Sequence, residues 1–510
     1  MGQSDVNEAG LGRRRFLTLA GAGLLAAGTV ATTSGRALAM SPGDRDPFTL
    51  GVASGDVMTD RVVIWTRLAP EPLDPSTRFG MGDLTDVPVR WRLARTESHL
   101  GTPSKWIASG EAVALAGNGF SVHVDVTGLD AGRRYFYEFE VDGPDGTVLR
   151  SPIGRTHTAF AAGDDRTARF AVVTCQNIAR ADGGEFYFHG HDHLAAREDI
   201  DFVVFLGDYF YEFGRGAHVP PREISSLDDY RTRYSQYKLR DSLREVHRRF
   251  PVYVMPDDHE FFNDYRGGDL GGVGQVRRFN HALQALWENM PLRNEHPGPL
   301  GDTKNHLALY RRIAWGTNLD LYLTDVRQYR GPSLLGNAQT DDLLDWLRTT
   351  TATWTALATP TPIWWNGGNN GWNAFTGARD RVTAVLEERK AATPATFNPV
   401  VLSGDIHCGI VTHVRRFRDH SSPFVATEFI NAPMTSQSSN QFLPDDEIRG
   451  AYNGMYGYME CIAEPTGWKV RYVVGNQTDD PNGTATGELP WHLDAGAAPG
   501  TVYQPVHQEA

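Results

Sequence analysis

A chain of 510 residues is too long for a single hydrophobic core, so two or more domains are expected. Charged residues make up 22% and the hydrophobic set 40%, which is ordinary globular composition. The formal net charge of −13 argues against a nucleic-acid partner, because phosphate backbones need Lys and Arg; it leaves anionic substrates open, since a metal ion reverses the local sign.

The N-terminus reads as a targeting segment. "GRRRFLTLAGAGLLAAGTVATTSGRALA" has a basic start, a modest apolar stretch and then small residues, and Ala37-Leu38-Ala39 fits an A-x-A cleavage site. An ordinary Sec signal is one reading. Two adjacent arginines followed at once by Phe16-Leu17, with only weak hydrophobicity after them, favour a twin-arginine signal over residues 1–39 and the Tat translocon as export partner. The apolar stretch is too short and too rich in Gly and Ala to be a stable membrane anchor.

From 46 to 160 the pattern is β. "RVVIWTRL", "VPVRWRLA", "FSVHVDVTGL" and "RRYFYEFEVDG" alternate or run apolar between Gly/Pro/Asp turns, with the rhythm of an immunoglobulin- or fibronectin-like sandwich. "AAGDDRTAR" (161–169) is polar and small and marks a boundary. From 168 to 476 apolar strands alternate with helical segments, which predicts an α/β domain: "FAVVTC", "DFVVFLGD", "VYVMPDDHE", "LDLYLTDVRQYR", "PIWWNGGNN" and "NPVVLSGDIHCG". The segment "DDYRTRYSQYKLRDSLREVHRRF" reads as one charged helix. Residues 477–510 are rich in Gly, Pro, Thr and Asp and read as a loosely ordered tail. Three cysteines allow at most one disulfide, so stability must come from the cores.

Four strand ends carry the chemistry: Cys175; Asp208 with Tyr211; Asp257-Asp258-His259-Glu260; and Asp405 with His407. A lone Gly-Asp is usually a turn, and "PDDHE" alone would make a helix N-cap. Four such ends in one domain, each directly after an apolar strand, supply thiol, phenol, carboxylate and imidazole where open α/β sheets place their sites. His189, His191 and His193 in "HGHDH" look like a metal box but lie on a helical segment away from any strand end. Cys408 is open between a second thiol near the site and a buried small residue, with the second favoured. "WWNGGNNGW" (364–372) reads as a loop that either shapes access or packs on the sheet.

"GDYFYE", "DDHEFFND" and "GDIH" resemble the metal-binding motifs of the PhoD-like alkaline phosphatase and phosphodiesterase family, within the calcineurin-like metallophosphoesterases. "FTLGVASGDVMTDRVVIWTRL", "TDVRQYR", "WNAFTGAR" and "EFINAPMTS" resemble its other signature segments, in the family's order, over roughly Phe48 to Val474. The resemblance implies a β-sandwich followed by an α/β metallophosphoesterase sandwich of two sheets flanked by helices. It implies Fe³⁺ held by Cys175, Asp208, Tyr211 and His407, with Asp405 in the same cluster. Asp208 would bridge to one or two Ca²⁺, whose candidate ligands are Asp208, Asp258, Asn263 and Asp264. Fe³⁺ prefers anionic ligands and Ca²⁺ oxygen, which suits this set.

His259, with Asp208 and Asp258, would be catalytic, His259 protonating the leaving oxygen while a metal-activated water or hydroxide attacks phosphorus. Arg327 is a candidate substrate contact or a structural partner of Asp325. Tyr209 stands where some relatives carry a phosphate-contacting cation. The substrate is a phosphomonoester or diester; the alternatives are a phospholipase D, a two-zinc or two-manganese hydrolase, and a non-enzymatic β-sandwich binding protein.

Overall fold

A computed structural model describes residues 46–143, 146–180, 182–364, 370–417, 419, 421–439, 447–475, 478–498, 501–502 and 504. The targeting segment and the middle of "WWNGGNNGW" lie outside the described residues. The first part of the chain forms β1 (Val52–Gly55), β2 (Arg61–Arg67), β3 (Asp86–Ala94), β4 (Trp106–Leu115), β5 (Ser121–Thr127), β6 (Arg134–Asp142), β7 (Val148–Arg150) and β8 (Gly154–His157). The central part comprises β9 (Ala168–Val173), α1 (His189–Ala195), β10 (Phe202–Leu206), α2 (Leu227–Lys238), α3 (Asp241–Arg249), β11 (Pro251–Met255) and α4 (Val273–Asn289). It continues as β12 (Arg311–Trp315), β13 (Leu319–Leu323), α5 (Gly336–Thr349), β14 (Trp354–Ala358), α6 (Thr376–Ala392) and β15 (Pro399–Ser403). The last part is β16 (Gly409–Arg415), β17 (Phe424–Ile430), β18 (Gly450–Tyr452), β19 (Tyr456–Ala463), β20 (Gly467–Gly475) and β21 (Gly487–Asp494).

Two large sheets face each other. One runs β21-β20-β19-β9-β10-β11-β1-β2-β5, the other β12-β13-β14-β15-β17-β16-β18. The strands at their centres, β9-β10-β11 and β13-β14-β15-β17, are parallel. Parallel strands are covered on both faces, which is why "FVVFL", "PVYVM" and "PVVLS" are apolar throughout and wholly buried. Aromatic rings fill the gap between the sheets. Phe202 stacks on Phe170 at 4.7 Å and on Trp315 of the opposite sheet at 4.6 Å, and Trp354 meets Trp468 at 5.7 Å. Helices α5 and α6 cover the outer face of the second sheet through Leu343, Trp346, Leu347, Val382 and Leu386.

Three expectations need correction. The β part and the α/β part do not have separate sheets: β1 pairs in parallel with β11, so β1, β2 and β5 extend the large sheet. Only β3, β4, β6, β7 and β8 form a sheet of their own, and its inward Val89, Leu93, Tyr135 and Tyr137 share one core with Val52, Val62 and Ile64. The expected tail contributes β21, which pairs along its whole length with β20; Trp491 and Leu493 bury against the core, and these two side chains outweigh a polar composition. The single charged helix is two: α2 begins at a Ser226–Asp229 capping box and ends at Lys238, and α3 restarts at Asp241.

Lys238 closes α2 in an unusual place. It is 1% exposed, its Nζ has no hydrogen-bond partner among the described residues, and it lies 4.5 Å over the Trp65 ring. Burial, with Arg67 nearby, pulls its pKa down from 10.5 to about 7. Between about 7 and 10.5 the unfolded chain therefore binds a proton that the folded chain does not, and stability rises with pH across that window. Lys238→Met is expected to raise the thermal midpoint by a few degrees near neutral pH and to flatten its rise towards alkaline pH. A variant melting with the native pH dependence would show that Lys238 does not carry it.

Candidate metal centre

The loops after β9, β10, β11 and β15 meet in the gap between the two sheets. Their meeting depends on two glycines. A Cβ on Gly207 would lie 2.8 Å from Asp257 Cβ, and one on Gly404 would lie 2.7 Å from Thr174 Cγ2. With no side chain at either position, the β10 loop touches the β11 loop and the β15 loop touches the β9 loop. The next residues turn sharply. Cys175, Asp208, Asp264, Asp405 and His407 are five of the nine described non-glycine residues at positive φ, from 52° to 67°. Each left-handed residue costs about 1–3 kcal/mol, and such strain gathers at functional sites.

Two groups of metal-competent atoms result. Ligand atoms of Cys175, Asp208 and His407 all lie within 4.8 Å of one another, and so do those of Asp208, Asp258 and His259. Asp208 belongs to both. Tyr211 joins the first group: its hydroxyl is 3.1 Å from Asp208 Oδ2 and 2.8 Å from His407 Nε2. The three-residue spacing thus turns both side chains into one pocket. The backbone N–H of Asp405 is directed at Cys175, while its carboxyl stays outside both groups. Asp264 borders the second group, its N–H donating to Asp258 Oδ2 at 2.6 Å and its carboxylate accepting from Asn263 Nδ2 at 3.0 Å.

The electrostatics of these groups call for a cation. Burial, then Asp208 and Asp405, push the Cys175 thiol up; burial and Asp208 push Tyr211 up; burial and neighbouring carboxylates push Asp208 and Asp405 up. Asp208 Oδ1 is buried with no hydrogen-bond partner among the described residues. His407 is held neutral, its pKa lowered by burial to about 4, and its Nδ1 lies 3.0 Å from the Gln437 carbonyl. The tautomer with Nδ1–H donating there keeps the Nε2 lone pair, which faces the Tyr211 hydroxyl and is the one a metal-binding histidine uses. Orphaned carboxylate oxygen, thiol, phenol and neutral imidazole together fit a transition-metal site; the oxygen-rich Asp208–Asp258 side fits a hard cation.

Several expectations change or sharpen at this centre. Tyr209 does not face the site: its ring is 2% exposed in the core and its hydroxyl bonds His247 Nε2 at 2.8 Å, because the left-handed Asp208 sends successive side chains apart. The Arg327 guanidinium faces neither Asp325, which accepts the Arg327 backbone N–H at 3.0 Å, nor open solvent. It grips Asp257 from Nε at 2.5 Å and Nη2 at 2.9 Å and reaches Asp258 Oδ1 at 3.3 Å, all three residues being buried. "PDDHE" caps no helix, since the next one begins only at Val273. The histidines of "HGHDH" sit on α1, where His189, His191 and His193 bond the Asp480 carbonyl, Gln176 and Tyr458. Cys408 is fully buried, with its thiol 2.9 Å from Asn453 Oδ1.

Glu212 is a site residue that sequence reasoning passed over. Its Oε2 is 2.6 Å from His259 Nδ1 and its Oε1 accepts from Asn263 N at 2.8 Å. Tyr211 and Phe213 hold the same imidazole, with ring centroids at 4.2 and 5.6 Å. Burial opposes a charge on His259, but Asp208, Asp258 and Glu212 outweigh it and hold its pKa well above the usual range. The one visible signal for Glu212 was an acid directly after Tyr211 in an aromatic run.

The sequence matches the PhoD-like phosphatase profile over residues 170–461 and the PhoD-like phosphatase N-terminal domain profile over 33–160. It is 32% identical to alkaline phosphatase D of Bacillus subtilis (strain 168), over 91% of this chain and 84% of that protein. The fold matches a solved structure of PhoD with a TM-score of 0.78 and 29% identity, over 91% of this chain and 94% of the other. A purple acid phosphatase from yellow lupin seeds shares the fold at a TM-score of 0.54 and 12% identity, over 87% of this chain and 73% of that one.

Glu212→Gln is expected to lower the His259 imidazole pKa by about one unit in metal-free protein, read from its NMR titration. An unchanged titration would show that Glu212 does not hold this ring.

Proposed function

The chain belongs to the PhoD-like phosphatase family and is a phosphoric ester hydrolase, and from that premise we propose an exported alkaline phosphatase with phosphodiesterase activity, built on Fe³⁺ and one or two Ca²⁺. One observation carries the metal assignment: Cys175, Asp208, Tyr211 and His407 converge around an orphaned Asp208 oxygen, with His407 Nδ1 placed against the Gln437 carbonyl. Thiolate and phenolate beside imidazole favour Fe³⁺ over a two-zinc or two-manganese centre, which would draw on His and Asp. The ions would neutralise the phosphoryl oxygens and lower the pKa of an attacking water.

The chain's own residues divide the remaining work. Asp208, shared by both atom groups, fixes the spacing between them. Arg327 cancels the charge of Asp257 and holds Asp258 in place, so a cation meets a rigid carboxylate. His259, gripped at Nδ1 by Glu212, keeps Nε2 for the leaving oxygen and carries the proton it needs there. The support for export is the "RRRFL…ALA" segment. No helix among the described residues is long and apolar enough to cross a membrane.

Metal analysis of the exported protein, with assays on a phosphomonoester, a phosphodiester and a phosphatidylcholine, tests this reading. Iron and calcium, a visible absorption band from tyrosinate on iron, and hydrolysis of the first two are expected. A colourless zinc or manganese protein would overturn the ligand assignment, and activity confined to the lipid would make the enzyme a phospholipase D. Replacing Arg13, Arg14 and Arg15 by Lys is expected to stop export; unimpaired secretion would refute the twin-arginine route.

A further inference from the structure

Arg330 is 2% exposed, and its Nε and Nη2 have no hydrogen-bond partner among the described residues. Buried guanidinium donors are almost always paired, so two idle ones need an explanation. Arg330 Nη1 donates to Asn370 Oδ1 at 2.6 Å. The same oxygen accepts from Arg327 Nη1 at 3.1 Å. Two cationic donors thus converge on one neutral amide oxygen, although guanidinium groups bind anionic oxygens far better. Arg330 forms no ion pair among the described residues, though it lies 5.7 Å over the Phe375 ring; burial, then Arg327, lowers its pKa to about 10, with Asp257, Asp258 and Asp264 opposing from a distance.

Asn370 also marks the open side of the centre. Its Nδ2 donates to Asp264 Oδ1 at 2.7 Å, and the Asp264 side chain is 61% exposed. Asp257, Asp258 and Asp264 surround the two arginines, a surplus of one negative charge that repels anions. A divalent cation on Asp208 and Asp258 reverses that sign.

We infer that Asn370 Oδ1 stands where an anionic oxygen belongs, and that Arg330, with Arg327, binds a phosphoryl oxygen of substrate or phosphate product when the amide turns aside. Arg330 is then a specificity-determining contact, and the anion site works only while the neighbouring cation is bound. The inference rests on reading Asp208 and Asp258 as cation ligands.

Calorimetry with the exported holoenzyme tests it, titrating calcium first and then inorganic phosphate. Phosphate is expected to bind with calcium present and to weaken when calcium is chelated. Arg330→Gln is expected to weaken phosphate about 10-fold or more, the size of a charge-assisted hydrogen bond, with calcium affinity unchanged. Asn370→Ala, at saturating calcium, is expected to tighten phosphate by freeing Arg330 Nη1 and Arg327 Nη1. A purely structural Asn370 would give the opposite sign, since loosening Asp264 would weaken both ions.

Native phosphate affinity in Arg330→Gln, or weakened phosphate binding in Asn370→Ala, overturns the inference. If Arg330→Gln does not fold, Arg330→Lys and Asn370→Ala decide. Failure of the native protein to bind calcium overturns the cation reading on which the inference rests.

Discussion

The contact between bare backbone at Gly207 and Asp257, and between Gly404 and Thr174, is the constraint on which the rest of the structure depends. Two sheets packed face to face normally stand about 10 Å apart. Side chains from loops at that distance meet only if the loops lean together over the end of the core. Glycine at both closest approaches permits this, and left-handed turns at Asp208, Asp405 and His407 bend the loops into the gap. The Gly of each Gly-Asp pair is therefore a packing requirement between loops rather than only a turn residue. A methyl group at either position would push apart the loops that the carboxylates and thiol come from.

The second consequence is electrostatic. Bringing Asp208, Asp257, Asp258 and Asp405 together in a buried place would be prohibitive without compensation. Arg327 supplies one fixed positive charge, placed on Asp257 and Asp258 and away from Asp208. Other side chains stitch the loops together. Gln176 Nε2 ties the β9 loop to the Tyr209 carbonyl, and Glu260 ties the β10 and β11 loops by accepting from Tyr209 N and Asp257 N. Asn431 Nδ2 joins the two sheets by donating to the Val172 carbonyl. Arg327 leaves the Asp208 end of the cluster to His259, which offsets part of its charge, and this is the place where the donor atoms fit a metal.

Much of this was legible because strand, glycine and ligand are adjacent in sequence. An apolar run with a carboxylate close behind it announces both the sheet and the loop at its end, and the convergence of Asp208, Asp258, His259 and His407 could be anticipated on that ground. The failures share a physical cause. Tyr209 is next to Asp208 in sequence, yet a positive φ sends it into the core beside His247. Glu212, Arg330 and Asn370 act through hydrogen bonds to residues dozens of positions away, which no local pattern encodes. The β21 strand was hidden by its polar composition: its partner β20 supplies the ladder, and only Trp491 and Leu493 needed to be apolar.

The N-terminal strands are part of the catalytic scaffold and not an appendage to it. β11 carries Asp257, Asp258 and His259 at its end, and one edge of β11 is covered by β1. The seam is held by bonds that cross it. Tyr253 of β11 donates to the Val57 carbonyl at 2.8 Å, Trp65 of β2 donates to the Glu288 carbonyl at 3.0 Å, and Arg155 donates to the Arg249 carbonyl at 2.9 Å. Without β1, the first residues of β11, Pro251 and Val252, would become an edge with unpaired backbone groups. A β unit that looks separable by composition thus anchors, through one short parallel pairing, the start of the strand that leads to Asp258 and His259.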